Sequence, residues 1–176
     1  MTKTSPEVAA RGLLGRQLKI SQVAVVCNDL QKTMENYTNL LGWGPWNVYR
    51  YEPPRLHHTE VGGKPVDYTM LGAETHVGDL GFELLQPLTG PSIYRDWLDQ
   101  HGEGLHHVAV MLHDFEESTA LKERLAEQDM PILMSGRFGE TIEFFYVDTE
   151  PSLKLIIESG SGHAIEQAPD YVYPAS

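Results

Sequence analysis

The chain has 176 residues, 41% of them hydrophobic and 22% charged, which is typical of one folded domain and not of a disordered chain. Its 13 Lys and Arg against 25 Asp and Glu give a formal net charge of −12, which argues against nucleic acid and anionic membranes as partners. The single cysteine, Cys27, excludes an intrachain disulfide and a zinc site made of several thiolates. Because neither a signal peptide nor a run of about 20 apolar residues is evident, we expect a cytoplasmic protein.

Two segments of the chain, 23–41 and 108–126, resemble each other. In each, an apolar strand-like run ends at an aspartate, Asp29 or Asp114, and a helical pattern follows. A short carboxylate at this point can accept hydrogen bonds from the free N–H groups of the first helical turn. We therefore predict that both aspartates are helix N-caps.

Strand-like segments, rich in β-branched and aromatic residues, follow each of these two helices. They cover 46–51, 66–71 and 79–86 in the first copy and 131–135, 141–148 and 152–159 in the second. A short helix is predicted between the copies, over 93–101. The sequence thus predicts an α+β fold of two βαβββ modules, about 18–90 and 104–160, whose curved mixed sheets enclose a cleft.

The two modules form the predicted domain 18–160. Residues 1–17 are an N-terminal extension, and residues 161–176 form an irregular C-terminal tail that we expect to pack on a neighbouring chain. Both modules lie in one chain, so each chain can build its own cleft. A homodimer is predicted from the frequency of two-fold homo-oligomers.

Four polar residues occupy equivalent positions in the two copies. Gln22 and His107 precede the two Val-Ala-Val runs, and Glu83 and Glu158 interrupt the last apolar strand of each copy. An imidazole, an amide oxygen and two carboxylates suit a divalent first-row metal ion, which would also compensate two otherwise costly buried carboxylates. Taken singly, each of these residues is more simply interpreted as a surface polar group or a hydrogen-bonded core histidine.

The segments SQVAVVCNDLQKTMENYTNLLG and FELLQPLTGPSIYRDWLDQHGEGLHHVAV resemble the vicinal-oxygen-chelate superfamily, which includes glyoxalase I, methylmalonyl-CoA epimerases, extradiol dioxygenases and bleomycin-resistance proteins. The second segment is most similar to the epimerases. The resemblance covers about 19–160. It implies the same four metal ligands, Gln22, Glu83, His107 and Glu158, and one divalent ion, which the sequence leaves open among Zn, Mn, Co, Ni and Fe.

The chain departs from the epimerase pattern, which has His and Gln where this sequence has Gln22 and Glu83. Its ligand order is that of one branch of glyoxalase I, and Gln22 breaks the facial triad that ferrous dioxygenases require. The resemblance predicts a metal-dependent epimerase or isomerase that uses Glu83 and Glu158 as bases next to the carbonyl of a small carbonyl or thioester substrate. A glyoxalase-type lyase and a metal-free binding or resistance protein are the alternatives.

Three further features have two interpretations each. Trp43, Trp46, Tyr49 and Tyr51 either pack under the first helix, which we favour, or line a pocket for a flat substrate. His57 and His58 belong to a mobile lid or to a polar loop. His106 should point away from His107 and serve a structural role, because neighbouring residues of a strand face opposite sides.

Overall fold

A computed structural model of the chain describes residue 12 and residues 19–112, 114–162 and 165–175. The predicted N-terminal extension, except for Gly12, therefore lies outside the described residues. The strands are β1 (Gln22–Val26), β2 (Trp46–Tyr51), β3 (Leu56–Val61), β4 (Lys64–Pro65), β5 (Thr69–Val77), β6 (Leu80–Thr89), β7 (Gly104–Ala109), β8 (Ile132–Phe138), β9 (Ile142–Val147), β10 (Ile156–Ser161) and β11 (Tyr171–Tyr173). The helices are α1 (Leu30–Leu41), α2 (Ile93–His101), α3 (Phe115–Glu127) and α4 (Glu150–Leu153).

Helices α1 and α3 begin at the two predicted caps. The side chain of Asp29 accepts a hydrogen bond from the Lys32 N–H, and that of Asp114 accepts one from the Glu117 N–H. Each carboxylate thereby satisfies a donor that has no partner within its own helix. The N-cap predictions are confirmed. Among the described residues, no helix is long and apolar enough to cross a bilayer.

All eleven strands belong to one mixed sheet in the order β11-β2-β5-β6-β1-β7-β10-β9-β8-β3-β4. The first module contributes β2-β5-β6-β1 and the second contributes β7-β10-β9-β8, so the two orders mirror each other. The modules join where β1 and β7 pair antiparallel, while the outer partners β6 and β10 run parallel to them. The α+β fold with two βαβββ modules is confirmed.

The hairpin β3–β4 was not predicted. It follows β2 in the chain, yet β3 pairs antiparallel with β8 of the second module. His57 and His58 lie in β3 and not in a loop, and His57 Nε2 lies 3.0 Å from the carbonyl oxygen of Gly139. Residues of the first module thus extend the sheet of the second, and the expectation of a lid or loop here is wrong.

The two faces of β2 belong to two different clusters. Trp46 is fully buried in the cluster beneath α1, where Trp43 stacks on Tyr37 at 5.5 Å between ring centroids. Tyr49 and Tyr51 point the other way, into the cluster that fills the cleft. Packing under the first helix is therefore right for the two tryptophans and wrong for the two tyrosines.

The C-terminal tail folds back on its own chain. Strand β11 pairs antiparallel with β2, and Asp170 accepts a hydrogen bond of 2.6 Å from the Arg50 N–H. The same carboxylate lies 2.7 Å from Arg55 Nη2. The prediction of an irregular tail is thus corrected, because the described part of it completes an edge of the sheet. Its packing on a neighbouring chain stays a prediction.

Candidate active site

The registers of the central strands bring the predicted residues onto one face of the sheet. His107 of β7 and Glu83 of β6 are both opposite Ala24 of β1. Glu158 of β10 is opposite Ala109, which in turn is opposite Gln22. Directly paired residues share a face, so all four polar side chains point into the cleft.

The small residues Ala24 and Ala109 lie between these polar side chains. Both are fully buried, and each occupies a position where its strand contributes only a methyl group to the cleft face. A larger side chain would separate the polar groups on the neighbouring strands. These alanines therefore allow Glu83, His107 and Glu158 to converge.

Three donor atoms converge closely. Ligand atoms of Glu83, His107 and Glu158 all lie within 4.8 Å of one another, and His107 Nε2 is 3.0 Å from Glu158 Oε2 and 3.7 Å from Glu83 Oε2. His107 is fully buried, and the two glutamates are 7% and 8% exposed. Gln22 lies beside Glu83, and both residues line a small cavity.

The cluster fits a bound cation. His107 Nε2 and Glu158 Oε2 are buried without a hydrogen-bond partner, since they face each other but are not aligned as donor and acceptor. Buried polar atoms are rarely left unpaired. Nitrogen and oxygen donors of this kind suit a divalent first-row ion, and Gln22, Glu83, His107 and Glu158 are the residues that would hold it.

A β-bulge orients the two adjacent histidines. Ala24 is opposite His107 while Val25 is opposite Leu105, which leaves His106 as an extra residue in β7. The alternation of side chains is broken there, so the expectation that His106 points away from His107 is wrong. Their Nδ1 atoms lie 2.8 Å apart, which leaves Nε2 of His107 directed at the carboxylates.

His106 is held neutral in this arrangement. Burial, with the neighbouring His107 ring, lowers the pKa of His106 to about 2. Its ring packs against Trp97 and Tyr94, each at 5.2 Å between centroids. A neutral His106 can accept a hydrogen bond from Nδ1–H of His107, which fixes the His107 tautomer that presents an unprotonated Nε2.

A cavity of about 100 Å³ opens above the cluster. Glu83, Glu158 and Gln22 form its polar wall, and the hydroxyl groups of Tyr94 and Tyr146 hydrogen-bond to each other beside it. The remaining wall is largely apolar, from Met70, Met111, Ile142, Phe144 and Ile165. Convergent polar groups in a cavity with apolar walls are a feature of small-molecule sites.

A third carboxylate, Glu74, also lines this cavity and was missed in the sequence. It lies in β5 directly opposite Glu83 of β6, and its Oε1 accepts a hydrogen bond of 2.9 Å from the Tyr51 hydroxyl. The sequence carries a signal for it. Gly78-Asp79 is a favourable two-residue hairpin turn, and a hairpin closed there places Glu74 opposite Glu83.

Two carboxyl groups of the cleft, those of Glu83 and Glu74, hold protons more tightly than usual. Burial, together with the charges of Glu158 and Glu74, raises the pKa of Glu83 well above its ordinary value, although the hydrogen bond from Gln22 opposes this. Burial and the charge of Glu158 raise the pKa of Glu74 to about 7, against the opposing hydrogen bond from Tyr51. A bound cation would reverse this by favouring the ionised forms.

Comparison with known families identifies the fold class. Residues 21–146 match the model of the glyoxalase/bleomycin resistance protein/dioxygenase superfamily, so the chain belongs to that superfamily. No curated protein matches the chain.

Solved structures share the fold at low sequence identity. A hypothetical protein from Bacillus halodurans has 15% identity and a TM-score of 0.58, with 86% of this chain and 99% of the other covered. Methylmalonyl-CoA epimerase in complex with methylmalonyl-CoA and NH4+ has 21% identity and a TM-score of 0.56, covering 86% and 99%. A Streptomyces coelicolor methylmalonyl-CoA epimerase variant in complex with 2-nitronate-propionyl-CoA has 20% identity and a TM-score of 0.54, with 84% of this chain and 99% of the other covered. At these identities the likeness establishes the fold alone.

Proposed function

We propose that the protein is a divalent-metal-dependent epimerase or isomerase that removes a proton next to a metal-bound carbonyl group. The observation that carries this proposal is the buried convergence of Glu83, His107 and Glu158, of which the two glutamates line a small cavity. Superfamily membership and the similarity to epimerases support it. When bound, the ion supplies a Lewis acid that polarises the carbonyl oxygen and makes the adjacent C–H group acidic.

The proton is moved by the chain's own carboxylates. Glu83 comes from the first module and Glu158 from the second, and His107 Nε2 is near both. Two bases that approach from different modules can serve the two faces of a planar carbon, which inversion of configuration requires.

Solvent isotope exchange tests these roles directly. The metal-loaded protein is incubated in D₂O with α-branched thioesters, including methylmalonyl-CoA and uncharged analogues, and deuterium at the α-carbon is measured by mass spectrometry. Glu83→Gln and Glu158→Gln should each lower exchange at least 100-fold, as loss of a general base typically does. Metal content is measured in parallel, and Glu123→Gln on the exposed side of α3 is the matched control.

Unchanged exchange in both variants would refute their role as bases. Exchange that disappears together with the metal would instead make the two glutamates ligands only.

A glyoxalase-type lyase is the second candidate. The observation in its favour is Gln22, which lines the cavity with Glu83 and Glu158, because an amide at this position with Glu83, His107 and Glu158 follows the ligand order of one glyoxalase I branch. Turnover of the glutathione adduct of methylglyoxal supports this candidate, and inversion of a chiral thioester supports the first. Less than a tenth of an equivalent of metal in protein purified with metal supplied would favour a metal-free binding protein over both.

We also propose that the protein is a cytoplasmic homodimer. Two-fold homo-oligomers are the commonest assemblies of soluble proteins, and the only cysteine, Cys27, is buried, which suits a reducing compartment. Size-exclusion chromatography with light scattering measures the assembly. A monomeric mass at micromolar concentration would contradict the homodimer.

A further inference from the structure

Glu74 is held in the cavity in a way that leaves most of its hydrogen-bonding capacity free. Within the described part of the chain, the side chain of Glu74 has one recorded hydrogen bond, from the Tyr51 hydroxyl to Oε1. A carboxylate has about four acceptor positions. Oε2 is therefore available to a molecule in the cavity that Glu74 lines.

The arrangement depends on Gly72, two residues before Glu74 on the same face of β5. A Cβ atom at Gly72 would lie 2.5 Å from Cε2 of the Tyr51 ring, a distance that side chains do not tolerate. With hydrogen there instead, the Tyr51 ring lies flat over β5 and its hydroxyl reaches Glu74. The glycine, the tyrosine and the glutamate together fix one oxygen of Glu74 and leave the other for a ligand.

The cavity contains negative groups without positive ones. Its described lining residues include Glu74, Glu83 and Glu158 but no Lys or Arg. One divalent ion compensates two carboxylates, so at least one negative charge remains in the cavity when all three are ionised. A substrate carboxylate would meet uncompensated charge and find no cationic partner.

This distinguishes the site from what its epimerase neighbours bind. One of those structures is a complex with methylmalonyl-CoA, whose acyl group bears a free carboxylate next to the reacting carbon. The present cavity offers a hydrogen-bond acceptor instead of a cation beside the cluster. Its volume of about 100 Å³ is small for a substrate pocket, so it suits the reacting group of a substrate and not a whole CoA thioester.

We propose that this reacting group is uncharged and presents a hydrogen-bond donor, a hydroxyl or an amide N–H, to Glu74, while its carbonyl oxygen faces Glu83, His107 and Glu158. Glu74 is then a specificity-determining residue: it accepts from the donor and repels a second carboxylate. The inference rests on the proposed function, because it concerns the substrate of the same site.

Two small probes of equal size test the inference. Malonate and malonamide each offer two carbonyl oxygens to a metal ion, but malonate bears two negative charges while malonamide is neutral and has N–H donors. Dissociation constants for both are measured by calorimetry on the Zn²⁺-loaded full-length protein at pH 8.5. The same measurements are made on Glu74→Gln and on the control Glu123→Gln.

The Glu74→Gln variant should weaken malonamide binding and strengthen malonate binding, so that the ratio of the two constants shifts at least tenfold. Glu123→Gln should leave the ratio unchanged, and zinc content should be equal in all three proteins. A ratio that shifts less than twofold in Glu74→Gln would overturn the inference.

These measurements use no turnover, so they are independent of the exchange experiment. Absence of metal-dependent exchange would refute the proposed reaction even if the probe ratio depends on Glu74. Normal exchange with a probe ratio indifferent to Glu74 would refute the substrate class alone.

Discussion

Two buried glutamates on opposite faces of the same sheet have opposite surroundings. On the outer face, Glu143 is 5% exposed and lies 2.9 Å from Lys122 Nζ and 3.1 Å from Arg137 Nη2, and it also accepts a hydrogen bond from Ser118. On the cleft face, Glu83 is 7% exposed and has an amide partner and two other carboxylates nearby. The chain supplies the compensating charge in the first case only.

The difference distinguishes a buried carboxylate that is paired within the fold from one that a bound ligand would have to compensate. The pKa of Glu143 lies below its ordinary value because hydrogen bonds and the Lys122 and Arg137 charges outweigh its burial. In Glu83 burial dominates and the neighbouring charges have the same sign, so the pKa is raised. A buried carboxylate is therefore informative about function only when its partners are counted.

Of the changes that test this contrast, metal binding should have the largest effect on the free energy of unfolding. Zn²⁺ at a free concentration 100-fold above its dissociation constant should raise the free energy of unfolding by about 2.7 kcal/mol, because it binds the folded cleft. His107→Ala should abolish the increase, and His76→Ala on the exposed part of β5 should not. Urea unfolding with and without metal measures it. Equal stabilisation of the His107 variant would place the ion elsewhere.

The pH dependence of stability should have opposite signs for the two faces. In the metal-free protein, the pKa of Glu74 is raised from 4.5 to about 7, so the folded state holds a proton that the unfolded state has lost. Stability should fall by on the order of 2 kcal/mol as pH rises from about 4.5 to about 7. Glu143 has a lowered pKa, so its contribution is present above about pH 4.5 and is lost as pH falls through its folded pKa.

Urea unfolding across pH 3–8 measures both slopes. Glu74→Gln should make the decline between about 4.5 and 7 shallower, with the part due to Glu83 remaining, and Glu143→Gln should flatten the loss at lower pH. A decline as steep in Glu74→Gln as in the unmodified protein would assign it to groups other than Glu74.

Matched Glu→Gln substitutions on the two faces of the sheet should have the smallest effect on the free energy of unfolding. Glu143→Gln should destabilise the metal-free protein by about 1.5 kcal/mol, because it removes charge-assisted hydrogen bonds to Lys122 and Arg137. Glu83→Gln should be neutral or stabilising, since it removes repulsion with Glu74 and Glu158. Thermal unfolding without metal measures both, and a destabilised Glu83 variant would contradict the contrast.

The modular fold could be predicted because its signals are local. The two Val-Ala-Val runs, the aspartate caps and the periodic segments that follow depend on neighbouring residues, and they recur in both copies. The hairpin β3–β4 could not be predicted, because its partner β8 lies about seventy residues further along the chain and the pairing of the two strands depends on contacts between the modules. The strand predicted at 66–71 begins and ends too early, because β5 spans Thr69–Val77.

The candidate site could be predicted in part for the same reason. The repeat pointed to Gln22, Glu83, His107 and Glu158 as equivalent positions, and strand registers bring them together. Glu74 has no counterpart in the repeat, so symmetry gave no signal for it. The His106 bulge also escaped prediction, because an extra residue in a strand is visible only against its hydrogen-bonded partner.

The route of β3 has a consequence for the independence of the two halves. A fragment ending at residue 90 would keep the hairpin but lose β8, against which it pairs, and a fragment starting at residue 104 would leave the edge of β8 bare. Bare strand edges promote aggregation, so neither half is expected to persist as a separate folded body. The internal repeat is still visible in the sequence, but the exchanged hairpin joins its two copies into a single folding unit. An insertion or recombination at the junction between the copies would disrupt that unit.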